Sequence, residues 1–141
     1  MILKYKGFSL IEIIFSIMII SILASIAIPK LWNTSLKTTL LKARSDMIVI
    51  QNGLNQYKTK NILKNITTPL SSLDDDENLF FKILKKPFVQ NKNNVNSWSK
   101  ESNNIYHFWI NKNESIKFIY DKNNNTFICN KTNENCQKIL N

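Results

Sequence analysis

The chain has 141 residues, 19 of them basic and 10 acidic, for a formal charge of +9. Two cysteines and one histidine are too few for a structural zinc site, which takes four such ligands. All basic residues but Arg44 are lysine, whereas bidentate recognition of phosphate or base edges prefers arginine, so a nucleic-acid partner has weak support beside a solvated lysine-rich surface.

In chain order, the first feature is a run from Phe8 to Ile28 of 21 residues with a single charge, Glu12. As a helix it measures about 31 Å, which matches a hydrocarbon core of about 30 Å. A carboxylate in such a segment costs roughly 2.5 to 3.5 kcal/mol at the helix centre, so a chain that keeps one there implies a partner for it. Lys4 and Lys6 precede the run with no acid among them, the arrangement that holds a short N-terminus on the cytoplasmic face. Only two glycines exist, and one of them, Gly7, stands at the junction of the basic leader and the apolar run. A residue without a side chain suits a protease that must grip backbone close to a membrane.

These residues, Lys6-Gly7-Phe8-Ser9-Leu10-Ile11-Glu12 with the apolar run to Pro29, resemble the class III signal of type IV pilins and type II secretion pseudopilins. The resemblance covers about 24 contiguous residues with each diagnostic position filled. It implies that prepilin peptidase cuts between Gly7 and Phe8 and methylates the new amino group of Phe8. It implies too that Glu12, the fifth residue after the cut, is the family's assembly glutamate, and that Pro29 marks a kink where the helix leaves the membrane. The new amine is mostly protonated at neutral pH. It can be neutralised by Glu12 within one chain or, with more consequence, between packed neighbours, where wrong axial register leaves a buried charge unpaired.

Two other readings share this segment. A secretory signal peptide also has a basic start and an apolar stretch, and Ser25-Ile26-Ala27 is a passable small-x-small site, giving a Sec-exported periplasmic binding module cut after Ala27. The apolar run exceeds the usual length of such signals and carries the unusual carboxylate. An uncut signal anchor is the third reading.

Past Pro29 the apolar pattern continues. Leu36, Leu40, Ala43, Met47, Ile50, Leu54 and Tyr57 recur at alternating spacings of 4 and 3, a 3.5-residue period. The spacing predicts one helix from about Ser9 to Thr59, apolar in its first half and amphipathic in its second, with Pro29 bending it. A membrane anchor with a coiled-coil stalk is the competing account of that pattern.

Residues 61–141 form the expected globular part. Ser72 to Lys86 predicts a short helix, with Asp74, Asp75, Asp76 and Glu77 at its first turn, Leu79, Phe80, Ile83 and Leu84 on its apolar face, and Lys82, Lys85 and Lys86 near its end. The four acids invite a calcium reading too, but the alternating ligands and glycine of an EF-hand loop are missing. Ile105–Ile110, Ile116–Tyr120 and Thr126–Cys129 read as three strands of an antiparallel meander, with Tyr106, Phe108 and Ile110 sharing a face with Ile116, Phe118 and Tyr120. The fold class is therefore α+β: a long N-terminal helix packed on a small C-terminal antiparallel sheet, which is also the pilin-like fold that the resemblance implies. The segments expected are a leader at 1–7, an assembly helix at 8–28, its amphipathic continuation at 29–60 and the α+β region at 61–141.

Cys129 and Cys136, on an exported chain, either form a disulfide, like the C-terminal loop of many type IV pilins, or stay as free thiols. His107 lies between aromatics in a strand, with no carboxylate or nucleophile at a motif spacing, no phosphate loop and no metal set, so it reads as a core or edge histidine, and neither catalysis nor a cofactor is expected. The functional expectation is a structural subunit of a pilus-like filament, a pseudopilin of a type II secretion or DNA-uptake system before an adhesive pilin. Its partners would be other filament subunits, prepilin peptidase and an inner-membrane assembly platform. The precursor would cross the inner membrane once with its C-terminal domain in the periplasm.

Overall fold

The computed structural model describes residues 7–66, 68–75 and 78–140. The chain divides into two compact units, Met1–Leu36 and Lys37–Asn141. Helix α1, Leu10–Leu63, contributes to both.

In the first unit α1 is apolar all round. Side chains from Phe8 to Leu31 are exposed apart from the half-buried Ala24, Phe8 at 79%, and the described residues of the unit leave them uncovered. The serines add little polarity, because Ser16 Oγ donates to the Glu12 carbonyl at 2.8 Å, Ser21 Oγ to that of Ile17 at 2.7 Å and Ser25 Oγ to that of Ile22 at 2.7 Å. Such back-bonding hides a hydroxyl inside the helix's own groove. Pro29 sits inside α1 and has no N–H to offer the Ser25 carbonyl.

In the second unit the period-3.5 face of α1 is buried. Leu40, Ala43, Ile50 and Leu54 enter the core, with Met47 packed against it. Gly53 lies on this side, where a Cβ would meet the Ile83 carbonyl oxygen at 2.7 Å, so its missing side chain allows the 80–84 segment to cross the helix closely. The helix ends in a Schellman motif: Asn65, at φ 55°, donates its N–H to Ile62 and the next N–H, of Ile66, returns to Asn61 at 2.9 Å. With glycine so scarce, asparagine takes this left-handed position and those at Asn93, Asn96 and Asn125.

Four antiparallel strands follow in meander order: β3 Ser97–Ser102, β4 Ile105–Trp109, β5 Ser115–Asp121 and β6 Thr126–Cys129, after a small pair, β1 Asn78–Leu79 and β2 Phe88–Val89. The expected three strands of the meander are present, and Tyr106 and Phe108 do face the core with their register partners Phe118 and Ile116. Two side chains fasten the sheet to α1. Trp98 Nε1 donates to Asp46 Oδ2 at 2.9 Å. Gln51 works like a fragment of an extra strand along β6: its amide nitrogen donates to the Asn125 carbonyl at 3.0 Å and its oxygen accepts the Phe127 N–H at 2.8 Å. Edge groups left bare invite foreign strands.

The helix expected at Ser72–Lys86 does not form. Asp74, instead of standing at a wet first turn, is 4% exposed and organises a loop: its carboxylate accepts the Phe80 N–H at 2.9 Å, the Tyr106 hydroxyl at 2.8 Å and the Lys100 ammonium at 2.9 Å. The last two partners lie on β3 and β4, so tertiary bonds override local helix propensity. Phe80 accepts a left-handed φ of 63° and sits among Phe88, Trp98, Tyr106 and Phe127, with ring centroids 4.7 to 5.7 Å away. Asp76 and Glu77 lie outside the described residues. Cys129 and Cys136 are joined by a disulfide that ties β6 to a final short helix, α2 Glu134–Leu140, whose first N–H groups are capped by Asn133 Oδ1.

Gln51→Ala removes both bonds along β6 and leaves the half-buried Phe127 N–H without a partner. The expected loss is about 1 to 3 kcal/mol, read as a lowered urea midpoint of the full chain in mild detergent. Gly53→Ala is expected to lower the midpoint too, because the atom it meets is backbone and cannot swing away. Burial first, and then the Asp74 charge and hydrogen bond, push the Tyr106 phenol well above its ordinary range. A raised phenol stabilises the fold fully below the unfolded value near pH 10 and loses that contribution as pH rises beyond it. Urea midpoints are therefore expected to fall above about pH 10, less steeply in Tyr106→Phe.

Candidate functional site

Gly7, Phe8 and Ser9 precede α1 in non-helical backbone, all exposed, and a Cβ at Gly7 would meet no atom within 4 Å. The Ser9 carbonyl takes the first helical bonds, from Glu12 N at 3.0 Å and Ile13 N at 3.2 Å. Ser9 is therefore the cap and Phe8 stands outside the helix. The Gly7–Phe8 bond lies on exposed, non-helical backbone. Glu12 follows in the first turn of α1, exposed, and among the described residues no cation or side-chain donor reaches its carboxylate. Lys4 and Lys6 lie outside the described residues. From Leu10, α1 is long and apolar enough to cross a membrane.

The site is thus a contiguous one: an accessible small-residue junction, a capped helix start and one unpaired carboxylate heading a sheath of apolar side chains. Residues 2–28 match the family model described as the prokaryotic N-terminal methylation motif. Curated relatives include the type II secretion system core protein G of Escherichia coli (strain K12), 41% identical over 58 residues, that of Aeromonas hydrophila at 38% over 58, and that of Vibrio cholerae at 36% over 58. Over this N-terminal segment the chain carries the N-terminal methylation motif and is similar to the type II secretion core protein G.

Each alignment covers 41% of the chain, and the chain spans about two fifths of the length of these relatives. No solved structure matches the chain significantly. The similarity lies in the N-terminal segment, and the sheet and loops stand on the chain's own residues.

His107 is placed differently from the core or edge position expected. β4 is an inner strand, and the imidazole lies on the outward face, with Nε2 3.0 Å from Glu101 Oε2 and Nδ1 2.9 Å from Ser115 Oγ. The carboxylate and hydroxyl come from neighbouring strands, so no linear motif could display them. Acyl transfer by such a relay also needs donors aimed at a developing oxyanion. The nearby Lys117 and Trp109 are committed instead, to Glu101 at 3.2 Å and to Ser99 at 2.8 Å. Among the described residues no three His, Cys, Asp or Glu side chains are grouped to hold a metal ion.

Proposed function

We propose that this chain is a structural subunit of a pilus-like filament of the type II secretion kind, made as an inner-membrane precursor whose residues 61–141 lie in the periplasm. The observation that carries the reading is the unpaired Glu12 carboxylate at the head of a fully exposed apolar helix, five residues beyond an open Gly7 junction. Prepilin peptidase would release the leader 1–7 between Gly7 and Phe8 and methylate Phe8. The apolar segment 8–28 would hold the precursor in the membrane and later pack against other subunits, and the continuation 29–60 would carry the α+β region, with Pro29 as the kink between the two.

Phe8 stands outside α1, so helical spacing does not bring its amine to Glu12 of the same chain. That favours pairing between subunits: the amine of one neutralises Glu12 of the next and fixes their axial register, because any slip buries both charges unpaired. Breaking such a pair costs about 3 to 5 kcal/mol. An inner-membrane assembly platform would move subunits from bilayer to filament. α1 continues without a break through Ala27, which supports this reading over an exported module cut after Ala27.

The mature chain is expected to begin at N-methylated Phe8 by N-terminal mass spectrometry; a terminus at Ile28 overturns the reading. Glu12→Gln is expected to insert in the membrane and lose its leader normally while filament yield falls by about two orders of magnitude or more. Wild-type yield from that variant contradicts the pairing.

A further inference from the structure

The outward face of the four-stranded sheet holds an arrangement that assembly through residues 8–28 leaves unused. Strand register sets Ser99 opposite His107 and His107 opposite Lys117 across β3, β4 and β5. Trp109 lies two residues along β4 on the same face. Its indole is half-buried, its centroid is 6.3 Å from that of the imidazole, and the two planes are 33° apart. Neither ring is free to turn. Trp109 Nε1 donates to Ser99 Oγ, and the two imidazole nitrogens are held by Glu101 and Ser115. Lys117 Nζ is 3.2 Å from the same Glu101 oxygen. Ser99, Glu101, His107, Trp109 and Ser115, together with Lys92, line a hollow of about 230 Å³, and Lys117 stands behind Glu101.

A face that merely meets water has no need of an indole fixed by hydrogen bonds. Two adjacent rings offer an apolar platform, and the groups around them are polar and of both charge signs. That mixture selects among ligands. A phosphate or carboxylate meets the Glu101 carboxylate, a cation meets Lys92, and an apolar molecule leaves both charges desolvated. A neutral polyhydroxylated ring avoids all three penalties, since each hydroxyl can donate to a carboxylate and accept from an ammonium. We propose that this hollow binds a neutral saccharide, with Trp109 and His107 stacking against the C–H face of one pyranose and Glu101, Ser115 and Lys92 taking its hydroxyls.

The geometry supports each role. A carboxylate has about four acceptor positions, so Glu101 keeps capacity for two vicinal hydroxyls beyond His107 and Lys117. Its hydrogen bond with His107 first, and then Lys117, hold its carboxyl below the usual range, so it is an ionised acceptor at neutral pH. Pockets for drug-sized ligands measure about 300 to 1,000 Å³, and this smaller one suits a single ring of a longer glycan. The site lies within the second unit and does not depend on filament assembly, so the two proposals fail separately.

The test uses the full chain, isotope-labelled in zwitterionic micelles free of sugar-headed detergent, titrated with maltohexaose, cellohexaose and chitohexaose. The Trp109 Nε1–H resonance is expected to move saturably with at least one of them while that of Trp98, bonded to Asp46 in the core, stays in place. Trp109→Ala is expected to abolish binding measured by calorimetry, with the Trp98 resonance reporting that the fold survives. Should that variant unfold, the exposed-site variant Glu101→Gln carries the test, with an expected loss of about tenfold in affinity. The proposal is overturned if Trp109 fails to move with any of the sugars up to its solubility limit, if Trp98 moves equally, or if folded Trp109→Ala or Glu101→Gln binds as tightly as wild type.

Discussion

Water excludes the N-terminal half of α1, and the described residues of its own unit leave it uncovered. Phe8 to Leu31 present apolar side chains on every side, and Ser16, Ser21 and Ser25 turn their hydroxyls inward to backbone carbonyls. Two environments remain for such a surface, a bilayer and the apolar helices of other subunits. Lipid tails and neighbouring side chains are about equally apolar, so burial alone gives little preference between them. Glu12 supplies the difference. Among the described residues its carboxylate has no partner, and on the proposed reading a bundle of processed subunits would bring an amine to each one. On this account the same segment, 8–28, would serve as anchor and as filament core, and its one charged residue, Glu12, would set the direction of transfer.

The second unit answers a mechanical need. A domain carried on a helix has to stay fastened when that helix is drawn into an assembly, and the fastening here is polar as well as apolar. Asp46 receives the Trp98 indole, and Gln51 holds one backbone group of β6 and one of Asn125 just before it, both from α1 positions near the buried Ile50. Apolar packing allows some sliding, but hydrogen bonds between a helix side chain and strand backbone fix one position along the axis. The disulfide between Cys129 and Cys136 extends the hold by pinning α2 to the strand that Gln51 clamps.

The features that were legible in the sequence are those whose cause is local or periodic. The 3.5-residue spacing from Leu40 to Leu54 marks the buried face of α1, and the alternation from Tyr106 to Tyr120 marks the inward face of the sheet. β3 was missed because Ser-Trp-Ser-Lys-Glu-Ser shows no apolar alternation, only one indole and a set of polar groups whose partners lie on other strands. The loop at Asp74 imitates a helix start to any local reading, since the lysine and tyrosine that capture it come 26 and 32 residues later. α2 is short, but Asn133-Glu134 ahead of Lys138 was a cap-and-dipole signal that could have located it. The cluster of Glu101, His107 and Ser115 exists only through strand register, which sequence spacing does not encode. The N-terminal segment is the reverse case: the motif that residues 2–28 match is contiguous, so it could be read from the chain in order.

The most direct test measures where the partner of Glu12 comes from. Filaments are assembled from a mixture of two subunit populations, one with ¹⁵N only in the Phe8 amine and the other with ¹³C only in the Glu12 carboxylate, and dipolar contact between the labels is read by solid-state NMR. The account predicts a contact at salt-bridge range, about 4 Å, in these mixed filaments. A contact seen only when both labels sit in the same subunit, or absent from both preparations, would contradict it.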